Sequence, residues 1–192
     1  MGRTKQLLPI GGRPMLQHAI DAAAAAGVDE IVVVLGHDAE RIEAALRLPG
    51  RARIVVNPDF ASGQASSLRA GLAATAPGTE AAVILLGDQP GVSPAAIRAV
   101  ADAYGAARAP IVRSAYGGEP GHPVLLARET WEGVAAPNAD VGARELVAAH
   151  PDWVLDAEVP GTAPPDIDTP DDYERIHRSR APGAAGSHPG PA

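Results

Sequence analysis

The chain has 192 residues, enough for one domain with a substantial core. Its net charge of −7, from 16 basic and 23 acidic side chains, argues against a nucleic-acid polymer as partner but not against a single nucleotide, whose phosphates one lysine, a metal and backbone N–H groups can hold. It has no cysteine, so disulfides, thiolate metal sites, iron–sulfur clusters and cysteine nucleophiles are excluded. In chain order, a helical pattern starts at Pro14, suited to a first helical position, and ends at Gly27, a good C-cap. Residues 31–35, Ile-Val-Val-Val-Leu, read as a buried strand. A second helix follows Asp38, with Ile42, Ala45 and Leu46 on one face. Residues 53–56 form the next strand, and a helix over 64–75 places Leu68 and Leu72 four apart.

Residues 81–86, Ala-Ala-Val-Ile-Leu-Leu, are apolar without alternation and predict a strand buried on both faces, stopped by Gly87 and Pro90. Ser93-Pro94 is a cap followed by proline at the first helical position, and 110–113 is a further strand. Residues 122–126 and 153–159 read as strands added antiparallel at an edge. Helices are expected over 140–149, with Asp140 as cap, and over 170–180, with Thr169 as cap and Asp171 and Asp172 suiting the positive helix end. Residues 181–192 can bury nothing and predict a disordered tail. The β-α-β-α rhythm predicts a single α/β domain over 1–180: a doubly wound, mostly parallel sheet in three layers, α/β/α. No apolar stretch reaches bilayer-spanning length, so a cytoplasmic protein without membrane partners is expected.

Asp88 carries the first chemical signal. It ends a buried strand, at the sheet edge where open α/β folds bind ligands, and a carboxylate there needs a cation or donor. Asp is also common in turns, so a plain cap is the alternative. Arg3 and Lys5, beside glycines and a turn, suit an anion, although solvated N-terminal cations are the simpler reading. Ser66 and Ser67 stand where a helix begins, and Asp168 stands next to a helix start, so each has a capping alternative. His122 before Pro123 fits a structural strand-start histidine as well as a substrate-facing one. His37 follows a strand end and can line the same cleft, while His18 reads as packed or exposed.

Several separated motifs, in order, give a more specific signal. They are Met1-Gly-x-x-Lys5-x-Leu-Leu-Pro9, Gly12-x-Pro-Met-Leu16, Asn57-Pro58, Gly63-Gln-Ala-Ser-Ser-Leu68, Gly87-Asp-Gln-Pro90, Gly121-His-Pro-Val124, Asp140-Val-Gly-Ala-Arg144 and Asp166-Ile-Asp-Thr-Pro-Asp-Asp172. Together they resemble the MobA-like nucleotidyltransferases, and within them the molybdenum cofactor cytidylyltransferases, over about residues 1–180. The resemblance implies that Lys5 contacts the nucleotide phosphates, and that Asp88 holds Mg²⁺ with Asp168 as second carboxylate. It implies that Gly63, Ser66 and Ser67 lie near base and ribose, and that Gly121, His122 and Pro123 face the acceptor. Arg144 is a further candidate for a phosphate or the acceptor. Gln89, in the Asp-Gln-Pro form, inclines towards CTP over GTP. The implied reaction moves CMP from CTP to the phosphate of a molybdopterin-type acceptor, with transient contact to a molybdoenzyme or its chaperone.

The family's pattern has an earlier strand and a glycine-rich loop, which this sequence lacks ahead of Met1. A start later than the natural one is the favoured explanation; loss of nucleotide affinity or replacement by another segment are the others. Such a loss is expected to bare neighbouring strand edges and apolar surface. The competing functions are guanylyl transfer, nucleotidyl transfer to a phospho-sugar or phospho-acid, and non-catalytic binding or delivery of a cofactor or nucleotide. A dinucleotide-dependent redox enzyme is unsupported, since no Gly-x-Gly-x-x-Gly stands between a strand and a helix.

Overall fold

The computed structural model describes residues 4–135 and 143–179. The expected cap at Asp140, the cation Arg3 and the expected tail 181–192 lie outside them. After a 3-10 turn over Lys5–Leu7, a small hairpin joins β1 (Pro9–Ile10) to β2 (Arg13–Pro14). Gly11 and Gly12 make that turn with φ of 55° and 79°, values that favour glycine. Helix α1 (Met15–Ala26) ends at Gly27 in the left-handed conformation, as its sequence predicts. Its buried face carries Met15, Ala19, Ile20, Ala22 and Ala23, at the three- and four-residue spacing of a helix stripe.

That stripe packs on β3 (Ile31–Leu35), whose Ile31, Val33 and Leu35 are buried in the same cluster. β3 pairs in parallel with β4 (Ala52–Val56), Ile31 opposite Ala52. The crossover is α2 (Ala39–Ala45), which buries Ile42. Helix α3 (Gln64–Ala73) leads to β5 (Ala81–Ile84), and α4 (Pro94–Ala107) leads to β6 (Ile111–Tyr116). Ser93 caps α4 by accepting a bond from the Ala96 N–H at 3.1 Å. Then come β7 (Glu119–Ala127), the short helices α5 (Trp131–Ala135) and α6 (Ala143–Ala149), β8 (Val154–Glu158) and α7 (Pro170–Ser179). The result is the mixed α/β architecture that the sequence rhythm predicts, with parallel strand pairs β3–β4 and β6–β8. Among the described residues no helix is long and apolar enough to cross a membrane.

The second half departs from expectation at both strands expected as antiparallel edge additions. β7 is not an edge addition: it lies between β5 and β6, antiparallel to both, and β8 takes the edge, parallel to β6. The cause is local. Gly117 and Gly118, with φ of 61° and 85°, form a two-residue turn that folds β7 directly back on β6.

The other departure concerns β5. All four of its residues are half-buried, although the apolar run predicts burial on both faces. β5 pairs with β7, β3 pairs with β4, and β3 and β5 belong to separate sheets. Between them opens a cavity of about 2160 Å³, lined by both strands and by Leu16, Ile20 and Leu72. The C-terminal ends of both strands reach the same turn, where Thr4 bonds to Asp38 just past β3 and its neighbour Lys5 bonds to Asp88 just past β5.

Candidate active site

Three side chains converge where β5 ends. Lys5 projects from the 3-10 turn, whose backbone is fixed by Leu7 N–H donating to Thr4 O at 3.0 Å and Leu8 N–H to Lys5 O at 3.1 Å. Its Nζ donates to Asp88 Oδ2 at 3.0 Å and to Asp168 Oδ1 at 2.8 Å. Asp88 and Asp168 are eighty residues apart in sequence, and a backbone bond brings their segments together: Ile167 N–H donates to Asp88 O at 3.1 Å. Ile167 is wholly buried with Ile10 and Met15, beside Tyr173 and Ile176 of α7. In an extended segment the neighbours of an inward residue face away from it. Asp166 therefore meets Gln89 and Asp168 meets Lys5.

One ammonium faces two carboxylates, which leaves the cluster one negative charge in excess. Burial lowers the proton affinity of Lys5, but the hydrogen bonds and charges of Asp168 and Asp88 outweigh it and hold the pKa above the usual lysine value. Lys5 and Asp88 are partly shielded, at 24% and 34% side-chain exposure, while Asp168 is 69% exposed. Next to Lys5, the Thr4 hydroxyl bonds to Asp38, which adopts a left-handed φ of 58° at the start of α2. The Thr4 bond, joined by the charges of His37 and Arg41, holds the Asp38 carboxyl below the usual carboxylate range. His37 lines the cavity, and Phe60 packs against it with ring centroids 6.0 Å apart.

One flank of the cavity carries His122 and Asp166. Burial pushes the His122 imidazole below its usual pKa, against opposing pulls from Asp166, the Ile84 carbonyl and Asp88, so it is neutral at pH 7. Gln89 is buried and donates through Nε2 to Asp166 Oδ1 at 2.7 Å. Its Oε1 and the Nδ1 of His122 are buried without a hydrogen-bond partner. Gly121 fits because a Cβ there would meet the Tyr116 ring at 2.9 Å, and the Tyr116 hydroxyl donates to His122 O at 2.8 Å. Pro123 is wholly buried and offers no side-chain surface.

Gly63, Ser66 and Ser67 lie at the start of α3. Gly63 has φ 111° and ψ 172°, a conformation restricted to glycine. Asn57, buried at the end of β4, donates through Nδ2 to Ser66 Oγ at 2.8 Å and to Ser67 Oγ at 3.1 Å. Ser66 is buried, with the carbonyls of Gly63 and Asp59 at 2.8 Å and 3.0 Å, so its hydroxyl shapes the loop. Ser67 lines the same cavity as Lys5, Asp88 and His122, as does Arg144 of α6. His18 is buried within 2.9 Å of the Ile10 carbonyl and packs away from the cavity lining.

The structure thus joins Lys5, Asp88 and Asp168 directly, and sets His122 and Ser67 on the walls of one cavity. It adds contacts that the sequence reading did not assign: Gln89 to Asp166, and Thr4 to Asp38. The first pair had a signal, since Asp166 and Asp168 flank an apolar residue in an extended run. The second had none at short range, being 34 residues apart. Among the described residues no group of three or more His, Cys, Asp or Glu side chains forms a closed metal cage. Two carboxylates sharing one ammonium nevertheless fit a hard divalent ion that takes its other ligands from phosphate and water.

The chain has relatives among known proteins and solved structures. It is 33% identical over 163 residues, 79% of its length and 76% of the relative's, to the nicotine blue oxidoreductase of Paenarthrobacter nicotinovorans. It is 38% identical over 104 residues to the bifunctional protein GlmU of Burkholderia thailandensis, spanning about a fifth (22%) of that protein and 54% of this chain. Among solved structures it superposes on Rv0371c of Mycobacterium tuberculosis H37Rv with a TM-score of 0.82, at 35% identity over 93% of this chain and 90% of that one. Rv0371c has also been solved in complex with manganese, which superposes with a TM-score of 0.79. A nucleotidyl transferase from Methanothermobacter superposes with a TM-score of 0.75, at 27% identity over 92% of this chain and 84% of that one. A family model, the MobA-like NTP transferase domain, matches residues 1–154, and the chain belongs to that family.

Proposed function

We propose that the chain is a divalent-metal-dependent nucleotidyltransferase that moves CMP from CTP to the phosphate of a molybdopterin-type acceptor and releases pyrophosphate. One observation carries the reading: two carboxylates from distant segments converge on one cation at the edge of the sheet, beside a cavity. Family membership supports nucleoside triphosphate chemistry, and the manganese complex of Rv0371c supports a divalent ion. The choice of CTP and of the acceptor rests on the motif resemblance, above all on Gly87-Asp88-Gln89-Pro90.

In this reading Asp88 and Asp168 hold Mg²⁺, which when bound supplies charge neutralisation at the α-phosphate and the leaving pyrophosphate. Lys5 binds phosphate oxygens. Ser67, held by Asn57, and the backbone around Gly63 border the nucleoside. Neutral His122, with Gly121 and the Gln89–Asp166 pair, faces the acceptor. An acceptor phosphate oxygen attacks the α-phosphorus in line. The bond from that phosphorus to the bridging oxygen breaks, and the electron pair leaves with pyrophosphate. The protein's share is placement and electrostatics, which is most of what phosphoryl-group transfer asks of it.

The test is a pyrophosphate-release assay with CTP, GTP, ATP and UTP, each with Mg²⁺ and a molybdopterin-type acceptor. CTP-dependent release, lost in Asp88→Asn with the fold intact by circular dichroism, is expected. Preference for GTP would move the reading to guanylyl transfer. Nucleotide binding without release would move it to a carrier.

A further inference from the structure

We propose that Lys5 is the resident cation of the Asp88–Asp168 pair, and that a divalent metal enters by exchange with its ammonium, which is thereby handed to the triphosphate. The inference rests on the metal-binding reading above and assigns Lys5 a second role, that of placeholder. Nζ sits 3.0 Å from Asp88 Oδ2 and 2.8 Å from Asp168 Oδ1, so it uses the two oxygens a metal would need. A metal held by the same two carboxylates would compete with Nζ for them, and two cations do not share that space without an anion between them.

The surroundings allow the exchange at low cost. The 3-10 turn fixes the backbone of Lys5, and the bond from Thr4 to Asp38 pins the residue before it. Only the lysine side chain has to move. That side chain lines the large cavity beside β3 and β5, so there is room to swing. An expelled ammonium needs a new anion, and the triphosphate is the anion that arrives with the metal. Metal and nucleotide therefore favour each other's binding in the natural chain, and Lys5 is the coupling element. Metal alone must compete with a tethered cation and binds weakly.

The experiment is a Mn²⁺ titration followed by electron paramagnetic resonance on the full chain, with and without a non-hydrolysable CTP analogue. It compares the natural chain with Lys5→Met, Lys5→Arg and Asp88→Asn, each checked for folding by circular dichroism. Without nucleotide, Lys5→Met is expected to bind Mn²⁺ about tenfold or more tightly than the natural chain, because a like charge is removed from the carboxylates. Lys5→Arg keeps the charge and should stay weak. With the analogue, the natural chain should gain Mn²⁺ affinity and Lys5→Met should gain little. Unchanged or weakened Mn²⁺ binding by Lys5→Met, with binding still lost in Asp88→Asn, would overturn the exchange and leave the metal site standing. Undiminished binding by Asp88→Asn would overturn both.

Discussion

Gly63 shows how one residue can shape a loop through its backbone alone. Its φ of 111° with ψ of 172° is open to glycine and strained for any other residue. It turns the chain into α3 so that Asn57 can bridge Ser66 and Ser67. Gly63→Ala is expected to cost about 1–3 kcal/mol of stability, read as a lower melting temperature, and to weaken nucleotide binding more than Ser66→Ala weakens it. His122 gives a second residue-scale test. Its folded pKa lies below the usual value near 6.5, so above that pH the imidazole is neutral in both states and costs nothing. As pH falls below about 6.5 the unfolded chain takes up a proton more readily, and stability falls. His122→Gln should flatten urea-unfolding stability between pH 7 and 5; an unchanged slope would show that other groups set it. At this scale the motif residues were legible because their chemistry is written in side-chain type. The Thr4–Asp38 bond was not, because it depends on two segments being carried together by the fold.

Among the elements, α7 has the clearest logic. Thr169 and Asp172 form a reciprocal cap: Thr169 N–H and hydroxyl donate to Asp172 Oδ2 at 3.0 Å and 2.7 Å, and Asp172 N–H donates back to Thr169 Oγ1 at 3.1 Å. These bonds, chiefly those from the Thr169 hydroxyl and N–H, pull the Asp172 pKa down to about 2. Because that is below the unfolded value of 3.8, the stabilisation is present above pH 3.8 and lost as pH falls towards 2. The cap matters beyond the helix. Tyr173 donates to Pro9 O at 2.7 Å and Ile176 packs beside Ile167, so α7 holds down the residue that aims Asp168 at Lys5. Thr169→Ala should fray α7, speed amide exchange over residues 172–177 and loosen the Asp168 arm at neutral pH. The natural chain should show the same change only below about pH 4. The sequence foretold this helix and its cap. It misplaced β7 because the Gly117-Gly118 turn was not read as a hairpin, and without that turn nothing local tells an inner strand from an edge strand.

On the scale of the whole molecule, the break between β3 and β5 is the dominant feature. Ile31 N–H donates to Arg51 O, and Asn57 N–H to Leu35 O, so residues 31, 33 and 35 of β3 bond to β4 while Val32 and Val34 turn their backbone groups into the gap. Arg128 N–H donates to Glu80 O, so by the antiparallel register Ala82 and Ile84 bond to β7 and Ala81 and Val83 face the gap from the other side. Two apolar, half-buried strand edges thus confront each other across the cavity. These registers follow from pairing between distant segments and were not legible in the sequence. A strand placed between them would satisfy both ladders, bury the half-exposed face of β5 and end beside Thr4. A version of the chain with a six-residue apolar strand and a glycine-rich turn fused ahead of Thr4 is therefore expected to melt roughly 5 °C or more above the 192-residue chain. The same fusion with Asp at the two central strand positions should give no gain, since a charge cannot be buried there unpaired. Equal melting temperatures for the apolar fusion and the unfused chain would show that the edges of β3 and β5 do not accept a strand, and that the half-burial of β5 is a stable end state.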